Sequence, residues 1–236
     1  MTSKPVLAFD CAAGACAVAV AIDAGASDVT VLARRVQAMQ RGHATALAPM
    51  IEATLADARI SARDVGLVAT TVGPGSFTGV RIGLATARGL ALALAVPLAG
   101  LTTIEALIAA AADRRPLHDR QRHLVAAVDT RRGDYYVGFE DAPTPRIADA
   151  AAIASRLEAG PVLIAGDGAA SLCPLLARAG IDAIAANESD TVDPVVLARL
   201  ALRNDVDQWR AANRRDGMPR PLYLRAAEAI AAAGRA

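Results

Sequence analysis

Apolar residues along this chain come in short runs broken by Gly, Asp and Pro, and the period of the pattern changes from strand-like to helix-like several times. Residues 6–9 form an apolar run ended by Asp10, 16–22 a second ended by Asp23, and 29–36 a third that is rich in β-branched side chains. The links at 11–15 and 24–28 carry Gly and Asp, so the pattern predicts a three-stranded antiparallel meander. A helix is predicted over 45–58, with Leu47, Met50, Ile51 and Leu55 on one face and Pro49 tolerated near its first turn. A strand over 65–72, a long helix over 77–95, a strand over 96–100 and a helix over 101–112 follow, the last with Thr102 and Glu105 at capping-box spacing.

The second half repeats that order: strands over 123–129 and 134–140, a helix over 149–158, a strand over 161–165, a helix over 168–179, a strand over 181–185 and a last helix over 194–203. Each half opens with a strand that ends in an aspartate, Asp10 or Asp129. The pattern therefore predicts two related α/β lobes, each a mixed sheet with flanking helices. Their boundary lies between 100 and 118, and is set here as 1–104 and 105–225, with an Ala-rich tail over 226–236.

Composition narrows the class. The chain has 236 residues, 54% of them hydrophobic, 58 of them Ala and only seven aromatic, which excludes intrinsic disorder. Cys11, Cys16 and Cys173 are odd in number and widely spaced, so no disulfide scaffold is expected. With no signal-peptide pattern at the start and no uncharged apolar stretch of roughly 18 residues, a cytoplasmic protein without a membrane partner is expected. Lys4 is the only lysine, and 25 basic against 24 acidic residues leave a net charge of +1, which argues against strong nucleic-acid binding by this chain alone. Arginines do cluster, at 114, 115, 120 and 122 and at 210, 214, 215, 220 and 225. Solvated loops and helix ends account for them, and direct tRNA binding is the alternative.

The most informative segment is Gly73-Pro74-Gly75-Ser76-Phe77-Thr78-Gly79-Val80-Arg81-Ile82-Gly83, at a strand-to-helix junction. Helix N-termini attract phosphates, but the segment lacks the Gly-Lys-Ser/Thr of a P-loop and the spacing of a dinucleotide fingerprint. A tight turn with Ser76 as helix cap explains it without a ligand. Gly79, Gly83, Ala87, Ala91 and Ala95 then form a ridge of small residues at intervals of four, flanked by Val80, Leu84 and Leu94. Glycine inside a helix costs on the order of 1 kcal/mol, so close approach of another element is expected there. That element lies either in the same lobe or on a partner protein.

The same segment, read as GPGSFTGVRIG, together with 84–90 and Val96-Pro97, resembles the signature of the TsaB (YeaZ) family. Leu7-Ala8-Phe9-Asp10, Gly42-His43 with Leu47 and Pro49-Met50-Ile51, residues 128–136 and Pro221-Leu222-Tyr223-Leu224-Arg225 resemble further motifs of that family in the same order. The resemblance implies an actin/sugar-kinase-like (ASKHA) α/β fold of two lobes. It also implies a role as the dimerisation subunit of the bacterial machinery that makes threonylcarbamoyladenosine in tRNA, next to the anticodon. Its implied partners are the homologous transferase TsaD, the TsaE ATPase through the complex, a second copy of itself in isolation, and tRNA contacted mainly by the complex. The dimer face is implied to lie on the helices at 45–58 and 77–95, with Leu47, Met50, Ile51, Leu55, Gly79, Val80, Gly83, Leu84, Ala87 and Ala91.

The residues argue against catalysis by the chain itself. Thr103 and Leu107 stand where the catalytic relative carries its metal-binding histidines, and neither is a credible ligand. His43 precedes a helix alone, where capping or packing is expected of it. The family's Asp-Thr-Ser turn is Asp10-Cys11-Ala12-Ala13 here, without hydroxyls. Asp10, Gly73, Gly75, Ser76, Asp129, Gly166 and Gly168 therefore mark at most a degraded nucleotide cleft. No cofactor is required. The resemblance leaves room for weak nucleotide or Mg binding, or for an adenine nucleotide at the interface of the complex. A turn in which Asp10 bonds its own backbone is the plainer reading. A small-molecule kinase of the same fold, or a metallopeptidase-like (M22-type) enzyme, is the competing function.

Overall fold

β1 (Val6–Asp10) is buried along its whole length, as a fully apolar run ending at a turn predicts for a central strand. It pairs antiparallel with β2 (Ala15–Gly25), which pairs antiparallel with β3 (Asp28–Ala38); on its other side it runs parallel to β4 (Leu67–Thr71), which is parallel to β5 (Leu98–Leu101). The sheet order is β3-β2-β1-β4-β5. The computed structural model describes residues 4–25, 28–157, 160–186 and 190–225, so the tail at 226–236 and Glu158 of the predicted helix lie outside the described residues.

The second sheet repeats the first. β6 (His123–Asp129), β7 (Tyr135–Phe139) and β8 (Ala142–Ala148) form the meander, and β9 (Val162–Ala165) and β10 (Ala183–Ala185) add in parallel to give the order β10-β9-β6-β7-β8. The sequence pattern assigns no element to the stretch that holds Pro143 and Pro145, which is β8. It is an edge strand, where a missing N–H on the open side costs no ladder bond. Helices follow each sheet in the same order: α1 (His43–Asp57), α2 (Phe77–Leu94) and α3 (Thr103–Arg114), then α4 (Ala150–Arg156), α5 (Ala169–Arg178) and α6 (Pro194–Ala201). The result is a two-lobed α/β architecture built twice on one topology.

The third helix of each set crosses over. Ile104, Leu107, Ile108 and Ala111 of α3 pack with Leu124, Ala126, Leu163 and Ala165 of the second sheet. Val196, Leu197 and Leu200 of α6 pack with Val6, Ala8, Leu67, Ala69 and Ala99 of the first. Ala106 and Ala110 of α3 meet Ala198 and Ala201 of α6 in that same cluster, so methyl-sized side chains let the two helices approach. The Thr102–Glu105 spacing does form a reciprocal capping box on α3, with Glu105 N–H on Thr102 Oγ1 at 3.0 Å and Thr102 N–H on Glu105 Oε2 at 2.9 Å.

Two helical details depart from expectation. α1 begins at His43, so Pro49 lies in its second turn rather than its first; its exposed ring leaves the unpaired carbonyl a turn earlier open to solvent. The chain also does not end its helices near 203. α7 (Val206–Asp216) follows, and its Asn213 side chain bonds both the N–H (2.8 Å) and the C=O (3.0 Å) of Leu98 on edge strand β5. An amide side chain thereby stands in for a missing strand and covers the sheet edge.

The ridge of α2 faces inward. Leu47, Ile51, Leu55, Ala87 and Ala91 belong to the cluster formed with Leu7, Phe9, Val18 and Val68, with Met50 half-buried against it. Val80 and Leu84 pack with Ala12, and Gly79 and Gly83 are buried. A Cβ on Gly79 would stand 1.8 Å from the Cys11 carbonyl oxygen, and one on Gly83 would stand 3.3 Å from Thr70 Oγ1. This corrects the expectation that these residues form a partner face: the small residues bring α2 down onto its own sheet. The outer side of the same two helices is the open one, with Ala44, Ala48 and Glu52 on α1 and Ala85, Gly89 and Ala93 on α2 exposed, and Leu92 70% exposed. α2 has the length and apolar composition of a membrane span, but it carries Arg81 and Arg88 and buries its ridge against the first sheet.

Two glycines on α2 should therefore respond oppositely to alanine. Gly79→Ala meets backbone and is expected to destabilise the chain by about 3 kcal/mol or more, while Gly89→Ala, with nothing within 4 Å of the new methyl, should stabilise it by about 0.5–1 kcal/mol. Urea unfolding of the two variants beside the wild type gives both signs.

Candidate functional site

The first lobe contributes three loops to one cavity: the β1–β2 turn, the β3–α1 junction and the β4–α2 loop. The second lobe adds the β6–β7 turn and the start of the β9–α5 loop, and the segment after α7 closes the rim. The cavity encloses about 800 Å³, and Ala12, His43, Gly75, Ser76, Phe77, Leu107, Asp129, Arg131, Tyr136, Asp167 and Tyr223 are among its lining residues.

Several of the expected cleft residues meet here in a closed, self-satisfied arrangement. Asp10 is 1% exposed and lies behind the lining. Its carboxylate accepts the Ala12 N–H at 3.1 Å, the Ala13 N–H at 3.4 Å and the Thr71 hydroxyl. Burial pushes its pKa up, against these hydrogen bonds and the nearby His43. The Asp10 geometry is thus the turn reading, bonded to its own backbone. Ser76 caps α2 by accepting the Gly79 N–H at 3.2 Å, while the Ser76 N–H donates to the Ala12 carbonyl at 2.8 Å. Gly75 is needed for that approach, since a Cβ there would lie 2.5 Å from the Ala12 oxygen.

The second lobe repeats the device. Gly73 and Gly166, at the ends of β4 and β9, both have φ of +98°. A Cβ on Gly166 or Gly168 would meet the Ala127 carbonyl oxygen at 2.3 or 2.8 Å, and the Gly168 N–H donates to that oxygen at 3.0 Å. Asp129 accepts the Arg131 N–H at 2.7 Å, and its own N–H donates to Asp167 Oδ1 at 2.9 Å; Arg131 Nη2 reaches Asp167 Oδ2 at 3.0 Å. Thr103 and Leu107 are both buried at the start of α3, and Leu107 reaches the cavity wall. Among the described residues no group of three or more His, Cys, Asp and Glu is placed to hold a metal ion. Cys11 and Cys16 face each other across the turn, Sγ to Sγ 3.7 Å, both buried.

Residues 222–225, which the sequence offered only within a motif resemblance, build the rim. The Leu222 N–H donates to the Val72 carbonyl at 2.8 Å, Arg81 Nε donates to the Tyr223 hydroxyl at 2.8 Å, and Arg225 Nη2 donates to Asp134 at 2.5 Å. Residues 222–225 thus tie α2 of the first lobe to the β6–β7 turn of the second. Thr130, then Arg225, holds the Asp134 carboxyl below the usual carboxylate range. Arg81 lies 3.3 Å from the centroid of the Phe77 ring. The available signal was the scarcity of aromatics: of seven in the chain, Phe77, Tyr136 and Tyr223 line this one cavity. His43 was expected to cap or pack; it is 7% exposed, lines the cavity, and its Nε2 has no hydrogen-bond partner among the described residues.

The arginine clusters are largely spent inside the chain. Arg114 bonds Asp193, Arg115 makes a two-pronged contact with Glu140, Arg122 bonds Asp119 and Asp182, and Arg215 bonds Asp216.

A family model described as TsaD: tRNA N6-adenosine threonylcarbamoyltransferase matches residues 30–157. Two curated proteins named tRNA threonylcarbamoyladenosine biosynthesis protein TsaB are similar to this chain. The one from Haemophilus influenzae is 34% identical over 136 residues, 58% of this chain and 53% of its own length. The one from Escherichia coli is 37% identical over 131 residues, 56% of this chain and 52% of its own length. The chain thus spans about half the length of the curated relatives it matches. The solved structure of YeaZ from Pseudomonas aeruginosa superposes with a TM-score of 0.67 at 24% identity, covering 93% of this chain and 100% of that one, which shows a shared fold.

The buried Asp10 carries a pH signature. Its folded pKa lies above the ordinary 3.8, so the folded state holds this proton more tightly and the group's contribution to stability declines as pH rises above that value. Asp10→Asn removes this term while keeping an oxygen acceptor. Denaturant unfolding from about pH 4 to pH 8 should give a wild-type-minus-variant stability difference that falls as pH rises, and a flat difference would contradict it.

Proposed function

We propose that this chain, which belongs to the family whose model is described as TsaD: tRNA N6-adenosine threonylcarbamoyltransferase, is a member of the TsaB (YeaZ) branch and a non-catalytic dimerisation subunit of a tRNA threonylcarbamoyltransferase assembly. In this reading it binds and supports the homologous transferase TsaD in forming N6-threonylcarbamoyladenosine next to the anticodon, meets TsaE through the complex, and pairs with itself in isolation. It needs no cofactor of its own, and an adenine nucleotide belongs at the interface of the complex.

The observation that carries the proposal is the closed β1–β2 turn. A kinase of this architecture needs donors free to grip phosphate at this turn. Here the Ala12 and Ala13 N–H groups go to Asp10 and the Ser76 N–H goes to the Ala12 carbonyl, and the residues after Asp10 bring no hydroxyl. The paired arginines support the second part, that tRNA is held chiefly by the assembly: fixed ion pairs leave less charge to neutralise phosphates.

Docking belongs to the outer side of α1 and α2. Ala44, Ala48, Ala85, Gly89 and Ala93 give it low relief, and Leu92 gives it an exposed apolar anchor. Low relief favours a second helix pair, because small side chains allow the axes to come close.

Reconstitution tests both parts. With TsaD, TsaE, the remaining pathway proteins, tRNA, threonine, bicarbonate and ATP, modification is expected to collapse when this chain is omitted, and full-rate modification without it would sink the proposal. Transfer by this chain in the absence of TsaD would sink the non-catalytic part. Gly89→Arg, whose side chain enters open space in the monomer, should weaken binding to TsaD at least tenfold with no loss of thermal stability.

A further inference from the structure

We infer that Cys11 and Cys16 form a redox couple, which a peroxide joins in a reversible disulfide that staples the β1–β2 turn.

Strand pairing brings the two thiols together. Asp10 faces Ala17 in the antiparallel ladder of β1 and β2, and one step further along the ladder Cys11 stands opposite Cys16 at the mouth of the turn. Their sulfurs lie 3.7 Å apart, and both residues are buried, Cys11 at 1% exposure and Cys16 at 0%. Directly opposed residues of an antiparallel pair have Cα atoms about 4.5 or 5.5 Å apart, and both values fall inside the range of roughly 4.4–6.8 Å that a disulfide spans. The bond therefore needs side-chain rotation that closes the sulfurs by about 1.7 Å, not a new backbone path. The third cysteine does not compete, since Cys173 packs against the core of the second lobe.

The two thiols are not equivalent. The hydrogen bond from Cys11 holds Cys16 below the ordinary thiol range, whereas the bond to Cys16, then burial, pushes Cys11 up. Cys16 is therefore the attacking group and Cys11 the resolving one. The Cys16 thiolate attacks one peroxide oxygen, the O–O bond breaks, and the second oxygen leaves as hydroxide, which takes the Cys16 proton to become water. The Cys11 sulfur then attacks the sulfur of the Cys16 sulfenic acid. The S–S bond forms, the S–O bond breaks, and the departing hydroxide takes the Cys11 proton as a second water. Two thiols lose two electrons and two hydrogens, and one peroxide becomes two waters. Ala13 and Gly14, half-exposed at the tip of the turn, are the nearest approach for so small an oxidant.

The staple falls where other elements rest on the turn. The Ala12 carbonyl accepts the Ser76 N–H at 2.8 Å, and the Gly14 carbonyl accepts the Met39 N–H at 3.0 Å. The Cys11 carbonyl sits so close to α2 that a Cβ on Gly79 would stand 1.8 Å from its oxygen. A covalent link across the mouth of the turn thus fixes the loop that carries the start of α2 and the residue after β3. It also constrains the unfolded chain, so the oxidised protein is the more stable form.

The test treats the reduced full chain with hydrogen peroxide, quenches with catalase and alkylates with N-ethylmaleimide in denaturant. No Lys or Arg lies between Lys4 and Arg34, so one tryptic peptide holds both cysteines. By mass spectrometry that peptide should be two hydrogens lighter and carry no maleimide, in a chain that stays monomeric on a non-reducing gel. Dithiothreitol should restore two maleimides. The oxidised wild type should melt about 4 °C or more above the reduced form, and neither Cys11→Ser nor Cys16→Ser should show that rise. Uptake of two maleimides after peroxide, sulfinic acid in place of the mass loss, or a disulfide found only between two chains would overturn the inference. So would an oxidised wild type that melts no higher than the reduced one. These wild-type readings decide the matter even if a serine variant fails to fold, and none of them depends on tRNA modification.

Discussion

Each sheet of this protein is covered on its inner face by a helix that belongs, in chain order, to the other half. α3 leaves the first sheet and packs on the second, and α6 leaves the second and packs on the first. Each lobe's sheet is thus partly buried by a helix of the other half, and α3 contributes to the apolar clusters on both sides. The alanines where α3 meets α6 let the helices cross closely enough for both sheets to be covered at once. That crossing also fixes where the β1–β2 and β6–β7 turns stand. They face each other over the cavity because the sheets behind them are locked.

Against this frame, the β4–α2 loop shows what glycine contributes. Gly75 and Gly79 allow backbone to touch backbone at Ala12 and Cys11, and the Ser76 N–H closes on the Ala12 carbonyl. The same press of a strand-to-helix loop against the preceding turn recurs at Gly166 and Gly168 over Ala127. The first-lobe turn thus holds itself shut by its own hydrogen bonds. One of the buried polar atoms without a partner among the described residues is His43 Nε2, and the rim is organised by Tyr223 and Arg225 from the far end of the described chain.

Element order, the doubled topology, the Thr102–Glu105 capping box and the Ser76 cap were legible in the sequence, because each rests on contacts within a few residues or on hydrophobic period. β8 was not, because its two prolines carry the same local signal in a loop and in an edge strand, and only the neighbouring β7 distinguishes them. α7 was missed although Asp205 and Gln208 form a local capping box; among its remote anchors is Asn213, which bonds Leu98.

The chain alone determined which positions on α1 and α2 had to be small or apolar, since period and the cost of helical glycine are local properties. Whether that ridge met its own sheet or another protein was decided only by tertiary packing, because the question is which backbone lies within van der Waals reach. The answer was the Cys11 carbonyl, and the opposite side of the helices was left open. The same holds for the cavity: its glycines and aspartates could be read in order, but His43, Tyr136 and Tyr223 came together only when residues far apart in the chain were folded around one space.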